Sequence, residues 1–122
     1  MAANLAWLLA TAETAQEASS LIDRAIRVLG PDSELLDTRS MIRVLNGQPV
    51  RALEDIRTAV VQPTPLRQLH LAIIEAANGQ LSEARTAFAA SIAGGLRSRW
   101  LSAADQRRLS ELEKLLAEAP AG

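Results

Sequence analysis

The stretch Ala52-Leu53-x-x-Ile56-Arg57-x-Ala59-Val60 repeats, after 34 residues, the pattern Ala18-x-x-Leu21-Ile22-Asp23-Arg24-Ala25-Ile26. Each copy sets two small alanines seven residues apart with a branched residue between them. A third copy, Ala84-x-x-x-Phe88-x-x-Ser91-Ile92, follows after 32 residues. The turn glycines Gly47 and Gly79 keep the same 32-residue step, and the two missing residues fall in the short connection Pro63–Pro65. A period of this length suits one antiparallel helix hairpin per repeat. Such a hairpin cannot bury its own apolar faces, so it stacks on its neighbours. Alanine at fixed positions lets the backbones approach, and a large side chain there would overpack the contact at about 1–3 kcal/mol.

Working outward, punctuation divides the chain. Gly30-Pro31-Asp32-Ser33 closes one segment and opens the next, with Asp32 or Ser33 as N-cap. Asn46-Gly47-Gln48-Pro49 and Asn78-Gly79-Gln80 are tight turns, and Thr64-Pro65 reads as an N-cap followed by proline at the first helical position. Gly94-Gly95 breaks the chain again, and Ser102-Ala103-Ala104-Asp105 resembles a capping box with Asp in place of Glu. These signals predict helices near 3–12, 14–29, 33–46, 49–62, 65–78, 81–93 and 102–118. The last is amphipathic: Leu109, Leu112 and Leu116 share a face that suits a terminal cap over the preceding hairpin.

Composition agrees with an all-α fold of about three stacked hairpins (2–30, 33–62, 65–93) and a capping helix, a single domain over residues 1–122. Ala and Leu supply 23 and 19 of the 122 residues, whereas Tyr is absent and Phe occurs once, so strand-favouring residues are scarce. The 13 basic and 14 acidic residues nearly cancel, which argues against a nucleic-acid partner. Without cysteine there are no disulfides and no thiolate metal sites. The opening MAANLAWLLA lacks a basic leader and its apolar run is short, so neither a signal peptide nor a membrane span is expected, and the cytoplasm is the default compartment.

The period and its small residues resemble the tetratricopeptide repeat. Three small-residue positions of that repeat are matched by Ala6, Ser40 and Ala72, by Ala18, Ala52 and Ala84, and by Ala25, Ala59 and Ser91. The resemblance covers roughly residues 2 to 93, and phrases such as Asn4-Leu5-Ala6-Trp7-Leu8-Leu9-Ala10 and His70-Leu71-Ala72 look like the C-terminal arrays of long bacterial members. The sequence departs from the pattern at Arg39, where Leu is usual, and it lacks the usual aromatics. The first repeat opens near its fourth position with no N-cap, which suggests a piece of a longer array. The resemblance implies a concave groove lined by the first helix of each hairpin. Carried over, its lining is Asn4 and Trp7, then Glu34, Asp37, Thr38, Met41 and Val44, then Leu69, His70, Ile73 and Ala77. Trp7, Met41 and Ile73 would form an apolar row, and Asn4, Thr38 and His70 a polar one. The carboxylate clamp of chaperone-binding relatives requires Lys or Arg where this chain has Glu34, Asp37 and Thr38, so a ligand of that kind is not expected.

No constellation demands catalysis. His70 is the only histidine, and the nearby Glu75 stands five residues on, off the same helical face. Gly94-Gly95 lacks the flanking strand and Lys-Ser/Thr of a phosphate-binding loop. Neither cofactor nor metal is expected. Arg39 points inward in the repeat register and should meet Asp23 or Asp55, because an unpaired inward charge costs several kcal/mol. The expected function is therefore that of a non-catalytic scaffold holding a peptide or helix of another protein in the groove. The alternative is a structural segment that self-associates through the open first hairpin.

Overall fold

The computed structural model describes residues 15–118. Among these residues there are six α-helices and no strand: α1 Ala15–Leu29, α2 Ser33–Leu45, α3 Pro49–Ala59, α4 Pro65–Ala77, α5 Leu81–Ala93 and α6 Ala103–Glu118. A 3-10 turn, Ser98–Trp100, precedes α6. The all-α expectation stands, and the helix expected over 3–12 lies outside the described residues. The chain divides into two compact units, Met1–Gln62 and Pro63–Gly122, separated at the Pro63-Thr64-Pro65 connection.

The helix boundaries follow local chemistry. Asp32 caps α2 by accepting the Leu35 N–H at 2.8 Å, and Thr64 caps α4 by accepting from Arg67 N–H at 3.1 Å. At the end of α2, Gln48 N–H donates to Arg43 C=O and Gly47 N–H to Val44 C=O. At the end of α4, Gln80 N–H donates to Glu75 C=O and Gly79 N–H to Ala76 C=O. This is the same C-terminal motif twice, and it requires positive φ at Gly47 (71°) and Gly79 (76°). Helix α3 ends at Ala59, three residues short of the expected 62. The backbone N–H groups of Val61 and Gln62 donate three residues back, to Thr58 and Ala59 C=O, tightening the last turn, while Pro63 disfavours helical geometry at Gln62.

In the first unit α1 packs on α2, and α2 forms a hairpin with α3. Ala18 and Ile22 meet Leu35 and Ile42 in one core, flanked by the half-buried Ala25 and Ile26. In the second unit α4 and α5 form the equivalent hairpin, and α6 packs on α4. Its core joins Leu69, Ala72 and Ala87 to Leu109 and Leu112 of α6. Burying each of those two leucines is worth about 1.5–3 kcal/mol, enough to hold the terminal helix as a cap.

The small-residue lattice is buried as the spacing requires. Ala52, Ala72, Ala84 and Ala59 are inaccessible to solvent and Ala18 nearly so. Ser40 and Ser91 occupy the same lattice because each buried hydroxyl donates locally, to Asp37 C=O at 2.6 Å and Phe88 C=O at 2.7 Å. A hydroxyl satisfied within its own helix costs little to bury. Ala25 is only half-buried, and Ala6 lies outside the described residues.

Candidate functional site

Arg39 is the first inward charge the sequence marks. Its Nε and Nη2 donate to the two oxygens of Asp55, both at 2.9 Å, and its Nη1 donates to Asp23 at 3.3 Å. Both expected partners are present. Arg43, one turn further along α2, adds a third donor to Asp55 at 2.8 Å. Asp55 is 5% exposed and therefore serves as a hub that ties α3 to α2 through two guanidinium groups. Its hydrogen bond is the main reason that the Arg39 pKa is raised, against the opposing effect of burial. The geometry is that of a fork on a carboxylate, strong and orientation-specific. Both Asp55 oxygens and all three Arg39 nitrogens are engaged within the fold, which makes the cluster structural.

The groove residues carried over from the resemblance are placed as follows. Asn4 and Trp7 lie outside the described residues. Asp37 and Met41 are buried in α2, and Thr38 is half-buried with its hydroxyl donating to Glu34 C=O at 3.0 Å. Those three belong to the first unit; His70 and Ile73 belong to the second. Leu69 is fully enclosed in the second unit's core and lines no open surface, because α6 covers that face of α4.

The same helix engages His70. Its Nε2 lies 3.1 Å from Asp105 Oδ1, and Arg108 donates to that same oxygen at 3.3 Å. His70 is 7% exposed, so the contact sits beneath the first turns of α6. Burial pushes the Asp105 carboxyl upward, but the hydrogen bond and charge of His70, with Arg108, outweigh it and hold the group below its ordinary value. Ser102 caps α6 by accepting the Asp105 N–H at 3.1 Å, while the Asp105 side chain turns to His70 and Arg108. The cap signal at Ser102 and Asp105 was legible in the sequence, but the partner 35 residues away was not. No periodic spacing links His70 to Asp105.

Beside this contact an apolar cleft runs between α4 and α6. Ile73, Ala76 and Ala77 form one wall, Leu112 and Leu115 the other, with Arg108 and Glu111 at the rim. Of the anchors the resemblance implied, Ile73 is the one that lines it. A second open apolar surface lies on α5, where Phe88, Ala89, Ile92 and Ala93 meet Leu116 of α6. Ile92 is 52% exposed there.

Among the described residues no group of three or more His, Cys, Asp or Glu is arranged to hold a metal ion, and no helix is long and apolar enough to cross a membrane. In comparisons with known proteins, no family model, curated protein or solved structure matches this chain.

Proposed function

We propose that this chain is a non-catalytic protein-interaction scaffold of tetratricopeptide type that binds a peptide or helix of a partner protein. The observation that carries the reading is the cleft between α4 and α6. Its walls are apolar, it is open to solvent, and its rim offers one charge of each sign. Such a surface accepts the apolar side chains of a helix or extended peptide and orients them by the rim. One wall is a helix of the repeat hairpin and the other is α6, anchored on it by Leu109 and Leu112, so binding needs little ordering of the scaffold. Because Met41 and His70 are buried, the side chains first met by a partner would be Ile73, Ala77 and Leu115.

Photo-crosslinking tests the reading. A photoreactive residue at Ala77 should trap one defined partner from the source cell, and the same group at the exposed Thr86 of α5 should not. Leu115→Glu, at a side chain 43% exposed, should abolish the adduct with unchanged helical circular dichroism. Equal labelling from both positions, or an adduct indifferent to Leu115→Glu, would sink the proposal.

A second reading, self-association, is favoured by the α5 surface around Phe88 and Ile92, an apolar area open to solvent. Light scattering over a range of concentrations distinguishes the two: a monomer that captures a partner supports the first, and a concentration-dependent dimer the second.

A further inference from the structure

Residues 94–108 hold four arginines, Arg97, Arg99, Arg107 and Arg108, against the single Asp105, a net charge of +3. The rest of the chain holds nine basic and thirteen acidic residues, a net −4. The positive charge is therefore gathered in one short segment of a chain that is otherwise net acidic. Arg97, Arg99 and Arg107 are exposed, and among the described residues none of the three makes an ion pair. Trp100 lies in the same segment, 71% exposed, with the Arg99 guanidinium 5.5 Å from its ring centroid.

The backbone beneath these side chains is held in place. Trp100 N–H donates to Arg97 C=O at 3.0 Å and Leu101 N–H to Ser98 C=O at 3.1 Å, closing the 3-10 turn. Gln106 on α6 then donates from Nε2 to Ser98 C=O at 2.9 Å and to Leu101 C=O at 3.3 Å. One amide thus pins the turn onto the helix that carries Arg107 and Arg108. An indole left in water by a well-tied backbone, in a segment with three guanidinium groups that make no ion pair, is an arrangement that folding alone does not call for.

We propose that this stretch is a second interaction surface, separate from the cleft, that binds a short acidic segment of another protein with an apolar side chain set against Trp100. Arginines donate to carboxylates in bidentate fashion, and a large rigid aromatic beside them supplies the desolvated contact. Charge decides the class of partner. A nucleic acid or an anionic bilayer presents many charges in a row, whereas the other charged residues of the second unit, three basic and five acidic, sum to −2 and repel it. A single exposed aromatic is also a weak anchor in a bilayer, where stable attachment takes a second signal. A short acidic peptide can stay within reach of the arginines alone.

The test uses the full chain and a dye-labelled synthetic peptide of glutamates around a central pair of leucines. Its control is the same peptide with glutamine in place of glutamate. Fluorescence anisotropy should show binding of the glutamate peptide that weakens as salt is raised. Arg97→Glu combined with Arg99→Glu should weaken it about tenfold or more, and Trp100→Ala about thirtyfold. All three side chains are exposed, so wild-type thermal unfolding is expected of both variants. Leu115→Glu should leave this binding unchanged, which separates it from the cleft. Equal binding of the glutamine peptide, or indifference to charge reversal, would overturn the proposal. Tighter capture by phosphatidylserine vesicles or by oligothymidylate than by the peptide would overturn it too, in favour of a lipid or nucleic-acid surface.

Discussion

Asp55 shows how one residue can decide the packing of two helices. Its carboxylate takes three hydrogen bonds from Arg39 and Arg43, whereas Asp23 takes one and is far more exposed, at 45% of its side chain. Loss of Asp55 leaves two inward guanidinium groups without their main acceptor. Asp55→Ala should therefore lower unfolding free energy by about 2–3 kcal/mol. That is below the full cost of breaking a buried pair, because both arginines still reach solvent. Asp23→Ala should cost less than about 1 kcal/mol. Urea titration of the two variants checks the ranking, and equal losses would mean that Asp55 is no hub. Ala52 makes the complementary case by size. It is wholly enclosed, so Ala52→Leu should cost about 1–3 kcal/mol through overpacking. A neutral result would place the helix contact elsewhere.

Among the described elements, α6 is held by a contact that includes a carboxyl with a depressed pKa. Leu109 and Leu112 supply its apolar anchor, and His70, Asp105 and Arg108 join its first turns to α4. The Asp105 carboxyl is held below the ordinary aspartate value of about 3.8 in the folded chain. A depressed carboxylate contributes stability that is fully present above the unfolded value and is lost as pH falls through the folded one. The contribution is thus intact at neutral pH, begins to be lost as pH falls below about 3.8, and is gone once pH passes the lower folded value. Asp105→Asn should be less stable than wild type at pH 6, and the gap should close as pH is lowered through that window. Chemical unfolding at a series of pH values measures it; a gap that stays constant would remove Asp105 from the contact.

At the scale of the molecule, surface chemistry matters more than the core. Ile92 leaves an apolar area on α5 without cover, bordered by Phe88 and Leu116. If copies of the chain pair through it, Ile92→Glu should shift the light-scattering mass to that of a monomer at every concentration. Because Ile92 is half in water, the substitution should leave the unfolding midpoint nearly unchanged. A dimer that survives Ile92→Glu would move the interface away from α5.

The parts legible in the sequence were those that each repeat writes locally. Ala52 and Ala84 are both buried at the same register. Gly47 and Gly79 both turn the chain with positive φ, and Ser40 and Ser91 each satisfy their own hydroxyl one turn back. Such features need only neighbours within a few residues, so periodicity exposes them. Arg39 was legible for the same reason, since its inward register left Asp23 and Asp55 as partners. The pairing of His70 with Asp105, the burial of Leu69 and the cleft beside Ile73 all depend on where α6 lands. That placement follows from the 3-10 turn at Ser98–Trp100, from Gln106 holding it, and from the rotation of α6 that buries Leu109 and Leu112. None of these repeats anything earlier in the chain. Short-range hydrogen bonds and helix periodicity were therefore settled by sequence, whereas the site's surface was decided by a non-repeating helix docking on a repeating one.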